Sequence, residues 1–454
     1  MIFNSAFFMF VFLPLCLAGY FLINNKFHNI FLMLVSLFFY SWGEPINIVF
    51  LLLSISANYA LAKAIGRLNR KFKRIVFLFT ILANISLLFA FKYFSFVVSN
   101  TPFSIGPKHI ILPLGISFYS FKCLSYVIDV YENRIEAEKN ILKFGLYVSF
   151  FPQLIAGPIT RYGDIEPQIS DRRVSFEGIY NGAIRFMKGF SKKVLISDQL
   201  INIVSIIFDS NGYSAPIAWL GAIAYTIEIY FDFSGYSDMA IGLGMMFGFE
   251  TKENFNLPYI ATSIQDFWRR WHISLSTWFR DYVYYPLGGS YCSKLRTYFN
   301  VLVVFGLTGL WHGANWNFVV WGLFYALFLI AERAGLKNIL VKLPRLIQHI
   351  YALSVIIIGW VFFRANNINA ALRYIKNMFS INSRWYADLL SIVDKQLVFC
   401  IILGIVFSFG FSVWLEKRLV DNRWICDLMI VMIFLIAIGY MWGGGFSPFL
   451  YSQF

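Results

Sequence analysis

Apolar runs close to twenty residues long recur from one end of this chain to the other, and that recurrence constrains its fold more than any other feature. A hydrocarbon core about 30 Å thick is crossed by about 20 helical residues. Candidate spans fall near residues 3–23, 28–43, 46–65, 75–98, 110–130, 143–157, 214–233, 297–312, 315–332, 346–364, 396–416 and 426–444. Several are short or interrupted by Gly and Pro, which suits re-entrant segments or paired half-helices. The expectation is an all-α polytopic membrane protein with ten to twelve transmembrane or re-entrant helices. Charge supports it: Asp, Glu, Lys and Arg make up 14% of the 454 residues, against about 25% in an average soluble domain. So few charges cannot cover a soluble globule of this length. A soluble enzyme, a disordered chain and a coiled coil are excluded.

The net charge of +14 reads as Lys and Arg gathered in cytoplasmic loops against anionic lipid, not as nucleic-acid binding. The run Arg67-Leu-Asn-Arg-Lys-Phe-Lys-Arg74 is the densest example. Placing it in the cytoplasm puts the N-terminus outside, with Lys26 inside and the loop Ser41–Pro45, which has no Lys or Arg, outside. Met1 opens into apolar sequence with no basic leader, so the first segment is expected to be a retained span. The five cysteines lie far apart without a CxxC, and no Cys/His cluster offers a metal site. HExxH, P-loop, GxSxG and GxGxxG patterns are also absent. No repeat or linker marks a second domain, so residues 1–454 are expected to form one integral membrane domain.

Polar groups inside or beside apolar spans carry the functional information, because ionisable groups at membrane depth are costly. Gly309-Leu-Trp-His-Gly-Ala-Asn-Trp-Asn317 interrupts an apolar run. A buried neutral His312 is suited to general-base work. Trp311 and Asn315 flank it, and Gly313 leaves room for a substrate. The competing reading is a structural histidine bonded to a backbone carbonyl at a helix break. The stretch Ile264–Tyr282 reads as one amphipathic helix with Ile264, Phe267, Trp268, Trp271, Leu275, Trp278 and Tyr282 on its apolar face. Gln265, Arg269, His272, Ser276 and Arg280 gather on the adjoining flank. A plain interfacial helix accounts for everything there except His272. Asp232, Ser234, Ser237 and Asp238 crowd the end of the 214–233 span, with Asp238 placed to cap a following helix or bond a partner. The Pro- and Gly-broken stretches Phe151–Arg161 and Leu112–Tyr119 read as scaffold.

At Trp268-Arg-Arg-Trp-His272 and Leu310-Trp-His-Gly313 the chain resembles the membrane-bound O-acyltransferases, in the bacterial branch that O-acetylates alginate. Leu112-Pro-Leu-Gly-Ile-Ser-Phe-Tyr119, Gln153-Leu-Ile-Ala-Gly-Pro158 and Tyr230–Gly244 extend the likeness over most of residues 1–333, and it fades to hydrophobic pattern over 334–454. The resemblance implies a ring of helices around a central tunnel, with His312 as the principal catalytic histidine and His272 as the second active-site position. Trp311, Asn315, Arg269, Ser276, Trp268 and Asp238 are the tunnel-lining or substrate-contacting candidates. It further implies acetyl-CoA, or an acyl-carrier thioester, as donor substrate with no tightly bound cofactor and no metal. An extracytoplasmic SGNH-type partner, a polysaccharide biosynthesis complex and a bacterial plasma-membrane location complete the expectation. D-alanyl transfer toward teichoic acid, and a transporter or channel without catalysis, are the alternative readings.

Overall fold

The computed structural model describes residues 1–101, 112–210, 214–380, 392–443 and 449. Every regular element among them is helical, as the apolar runs require. Among the described residues five helices are long and apolar enough to cross a membrane: Ile48–Ile65, Arg70–Ser99, Trp316–Leu340, Arg345–Arg364 and Val420–Gly443. Lys395–Ser408 and Phe411–Arg418 make a sixth if counted as one span broken by 62°, where Gly410 takes a φ of +92°. The remaining expected segments are helical but shorter or more polar. Phe8–Leu22 is one such apolar helix. The 143–157 run ends its helix at Ser149, ahead of Pro152, because proline cannot continue the backbone ladder. Leu22, Leu82, Leu327, Leu346 and Leu435 are exposed, which in these segments is a lipid-facing surface. The chain is thus a polytopic, all-α membrane protein.

Polar side chains set many helix starts. Asn69, Asn140, Ser263, Ser293, Asn367 and Asp394 each accept a hydrogen bond from a first-turn backbone N–H, satisfying donors the helix leaves open.

The described residues fall into two compact units, one of 1–186 with 239–252 and the other of 187–238 with 253 onward. The first unit is built on packed phenylalanines: Phe3, Phe8, Phe12, Phe39 and Phe151 form a continuous set of ring contacts. Asn58 and Asn84 exchange amide hydrogen bonds of 3.1 and 2.8 Å between the Ile48–Ile65 and Arg70–Ser99 helices, a polar join suited to lipid surroundings. The two Pro/Gly stretches meet at Gly115, whose φ is +74°. A Cβ there would lie 2.4 Å from the Leu154 carbonyl oxygen.

The second unit is organised by a helical hairpin. Lys294–His312 and Trp316–Ala331 touch backbone to backbone. A Cβ on Gly322 would stand 2.1 Å from the Phe305 carbonyl oxygen, and one on Gly309 2.2 Å from that of Phe318. Also in this unit, Lys193, fully buried, reaches Asp198 and Asp232, each at 2.6 Å. Gly235 makes that closeness feasible, since a Cβ there would lie 2.7 Å from the Gly189 carbonyl oxygen.

Candidate functional site

His312 is the last residue of the hairpin's first arm, and Gly313 ends the helix in an extended conformation. The imidazole is 1% exposed. It sits edge-on to Trp311, Trp321 and Phe363, with ring centroids 4.9, 5.0 and 5.2 Å away. The space beside Gly313 is filled: a Cβ there would lie 2.2 Å from the Phe318 ring. The expectation that Gly313 leaves room for a substrate is corrected; its lost side chain makes room for Phe318.

The Ile264–Tyr282 stretch is not one helix. It breaks into Ile264–Arg270 and Ile273–Phe279 at His272, whose backbone is left-handed with φ 42° and ψ 55°. The apolar face survives the break, because Ile264, Phe267, Trp268, Trp271, Leu275, Trp278 and Tyr282 are all buried. The polar flank does not. The left-handed turn carries His272 inward to 1% exposure and leaves Arg269 and Arg280 at the surface. Non-glycine residues in that region are held there by their surroundings. Here the clamp is residues 254–256: Ile273 N–H donates to the Asn254 carbonyl at 3.0 Å, and Asn256 N–H to that of Arg270 at 3.0 Å. Glu332, buried, accepts the N–H groups of Ile264 and Gln265 at 2.6 and 3.0 Å, anchoring the first half-helix at its positive end.

His272 lies 4.6 Å from the Phe233 ring and 5.9 Å from Trp311, centroid to centroid. Trp311 therefore touches both imidazoles, and the structure brings the two predicted histidines to one shared indole. Trp268 joins the same aromatic body through Trp321, Tyr325 and Phe305. Burial pushes the His272 imidazole down to about 3, so it is neutral near pH 7. The other candidates lie at the surface or hold partners of their own. Arg269 is exposed and makes no ion pair among the described residues. Half-buried Ser276 donates to the Trp271 carbonyl at 3.4 Å. Asn315 donates to the Asn366 carbonyl at 3.2 Å. Asp238 caps nothing, since its helix runs unbroken from Ala215 to Met246; it pairs with Lys192 at 2.6 Å. Among the described residues no group of three or more His, Cys, Asp or Glu is placed to hold a metal.

Sequence reasoning passed over Asn254, Glu332 and Lys193. For Lys193 the signal was present: adjacent lysines at 192 and 193 in a stretch with apolar neighbours. Asn254 stands in a short polar loop, Lys252-Glu-Asn-Phe-Asn256, with no periodicity to mark it.

The profile of the membrane-bound O-acyltransferase family matches residues 120–373. The chain is 42% identical over 400 residues to the probable alginate O-acetylase of Azotobacter vinelandii, covering 86% of this chain and 80% of that one. It is 37% identical over 425 residues to the peptidoglycan O-acetyltransferase of Helicobacter pylori, with 84% and 80% covered. The teichoic acid D-alanyltransferase of Bacillus subtilis is 28% identical over 269 residues, 56% of this chain and 67% of that one.

Proposed function

The chain belongs to the membrane-bound O-acyltransferase family, and from that premise we propose that it moves acetyl groups from a cytosolic thioester donor, acetyl-CoA, across the bacterial plasma membrane for O-acetylation of an extracytoplasmic polysaccharide. The observation that carries this reading is the pair of buried imidazoles, His272 and His312, that both contact Trp311. Two relatives whose names describe O-acetylation align over more than four-fifths of the chain. The D-alanyl-transferring relative aligns over 56% at lower identity, which favours acetyl over D-alanyl.

A thioester is already activated, so the transfer needs no covalent enzyme intermediate. The acceptor hydroxyl gives its proton to His312 while its oxygen bonds to the acetyl carbonyl carbon. The carbon–sulfur bond then breaks, and the departing thiolate takes the proton back as free thiol. Base help of this kind is worth about 10²–10⁴-fold. His272, neutral and fixed by its loop, orients the donor. Both imidazoles are 1% exposed, so the aromatic side chains around them must part to admit substrate. This chain acts as the membrane step of a relay, and an SGNH-type extracytoplasmic partner in a polysaccharide biosynthesis complex receives the acetyl group.

The test uses the full chain in lipid nanodiscs, radiolabelled acetyl-CoA, and alginate oligosaccharide as the acceptor probe, with and without an SGNH-type partner. His312→Ala should lower label transfer by about 10²–10⁴-fold while inserting normally. Transfer at the wild-type rate by that variant would remove the assigned base. Acetyl-CoA crossing proteoliposomes unchanged, without thiol release, would establish transport in place of catalysis.

A further inference from the structure

The amide of Asn254 is oriented by its neighbours. Its Oδ1 receives the Ser274 backbone N–H at 3.2 Å and the Ser274 hydroxyl at 2.8 Å. Its Nδ2 donates to Ser237 Oγ at 3.1 Å. A backbone N–H only donates, so the atom facing Ser274 is the amide's carbonyl oxygen. The third group on that oxygen is His272 Nδ1, at 3.1 Å. An amide oxygen only accepts, so Nδ1 carries the hydrogen. In a neutral imidazole the lone pair then belongs to Nε2. Asn254 is 0% exposed and Ser237 2%, so no bulk water competes for these bonds. The same residue fixes the backbone, because its carbonyl accepts the Ile273 N–H immediately after the left-handed His272.

We propose that Asn254 is a positioning residue for the acyl transfer, locking His272 as the Nδ1–H tautomer so that Nε2 meets the substrate as a hydrogen-bond acceptor. The inference rests on the acyltransferase reading above and narrows it. A neutral His272 held this way cannot donate to an oxyanion. It suits an N–H partner, such as the amide groups along the pantetheine arm of a CoA thioester. Its role is therefore recognition of the donor, with no bond made or broken at the imidazole.

Two measurements test this. The first is nitrogen NMR of 15N-histidine-labelled full chain in nanodiscs, with the His272 signal assigned by its loss in His272→Ala. The expected spectrum shows a protonated Nδ1 and an unprotonated Nε2 at neutral pH; the opposite tautomer overturns the proposal and does so without any variant of Asn254. The second is kinetic. Asn254→Ala should lower kcat/KM for acetyl-CoA by about 10–100-fold, taking as a guide the range for groups that orient metal-bound histidines, and most of the loss should lie in KM. Asn254→Asp keeps the acceptor oxygen but sets a carboxylate beside a ring whose contacts described here, Phe233, Trp311 and Ser274, are neutral. It should hold the imidazole protonated further into the neutral range, so that transfer falls off at a higher pH than in the wild type. Wild-type kinetics and the wild-type pH profile in both variants would refute the role of Asn254. If His272→Ala is inactive while Asn254→Ala is normal, only this inference fails. Normal transfer by His272→Ala removes both His272 from the site and the purpose of the lock.

Discussion

Gly322→Ala and Gly306→Ala place the same methyl group on the same hairpin, 16 positions apart in sequence, and their effects should differ in sign. A Cβ at 322 would stand 2.1 Å from the Phe305 carbonyl oxygen and 3.3 Å from the Gly309 nitrogen. Real carbon–oxygen contacts need more than 3 Å, so the arms must separate by roughly 1 Å, and the obstruction is backbone that no rotamer change can move. Overpacking of this kind costs about 1–3 kcal/mol. The displaced arm ends in His312, and a displacement of about 1 Å at a reacting group costs on the order of 10²-fold in rate. At Gly306 the nearest atom is Leu323 Cδ2 at 3.9 Å. Alanine there meets ordinary contact and gains about 0.5–1 kcal/mol of backbone entropy. The assay pairs thermal unfolding in detergent with acetyl transfer from labelled acetyl-CoA. Gly322→Ala should unfold earlier and transfer on the order of 100-fold more slowly, while Gly306→Ala should match or exceed the wild type in both. Equal damage from the two, or a harmless Gly322→Ala, would refute the view that hairpin closeness places His312.

Lys193→Met takes away the cation shared by Asp198 and Asp232 and should cost about 3–5 kcal/mol. Asp232→Asn, which leaves Lys193 its contact with Asp198, should cost less, and identical melting shifts would disprove the triad's importance. Stability should also fall in acid through His272. Its folded value of about 3 lies below the unfolded 6.5, so the unfolded state binds the extra proton. Stability is full above pH 6.5 and declines toward 3 by about 1.4 kcal/mol per pH unit for this one group. His272→Gln should have the shallower slope between pH 6.5 and 4.5; parallel slopes would show that burial does not hold the ring neutral. Arg269→Ala, at an exposed site, should leave transfer near the wild-type rate, and a large loss would return it to the site.

The spans were legible because lipid imposes one period and one length on every helix crossing it, and Ile48–Ile65, Arg345–Arg364 and Val420–Gly443 each lie where an apolar run announces them. His272 and His312 were legible as polar groups where polarity is costly. Their arrangement was not. The break at His272 depends on Asn254, eighteen positions away, and a helical wheel drawn over Ile264–Tyr282 has no means of seeing it. Asp238 read either as the start of a following helix, where Asp is a favoured cap, or as a group that bonds a partner; it is the second, pairing with Lys192 while the Ala215–Met246 helix runs past it. Gly313 read as vacancy because nothing in the string shows Phe318 folding back onto it.

The Lys193 triad bears on how the protein is made. A charge alone in an oily interior is worse than none, so Asp232 gains nothing by settling there before Lys193 is in place. The ribosome delivers Lys193 together with Asp198 and well ahead of Asp232. The earlier pair can form as soon as both residues emerge, so Asp232, carried in later on the Ala215–Met246 helix, finds its cation already in place, and that contact acts as a latch for the later helix.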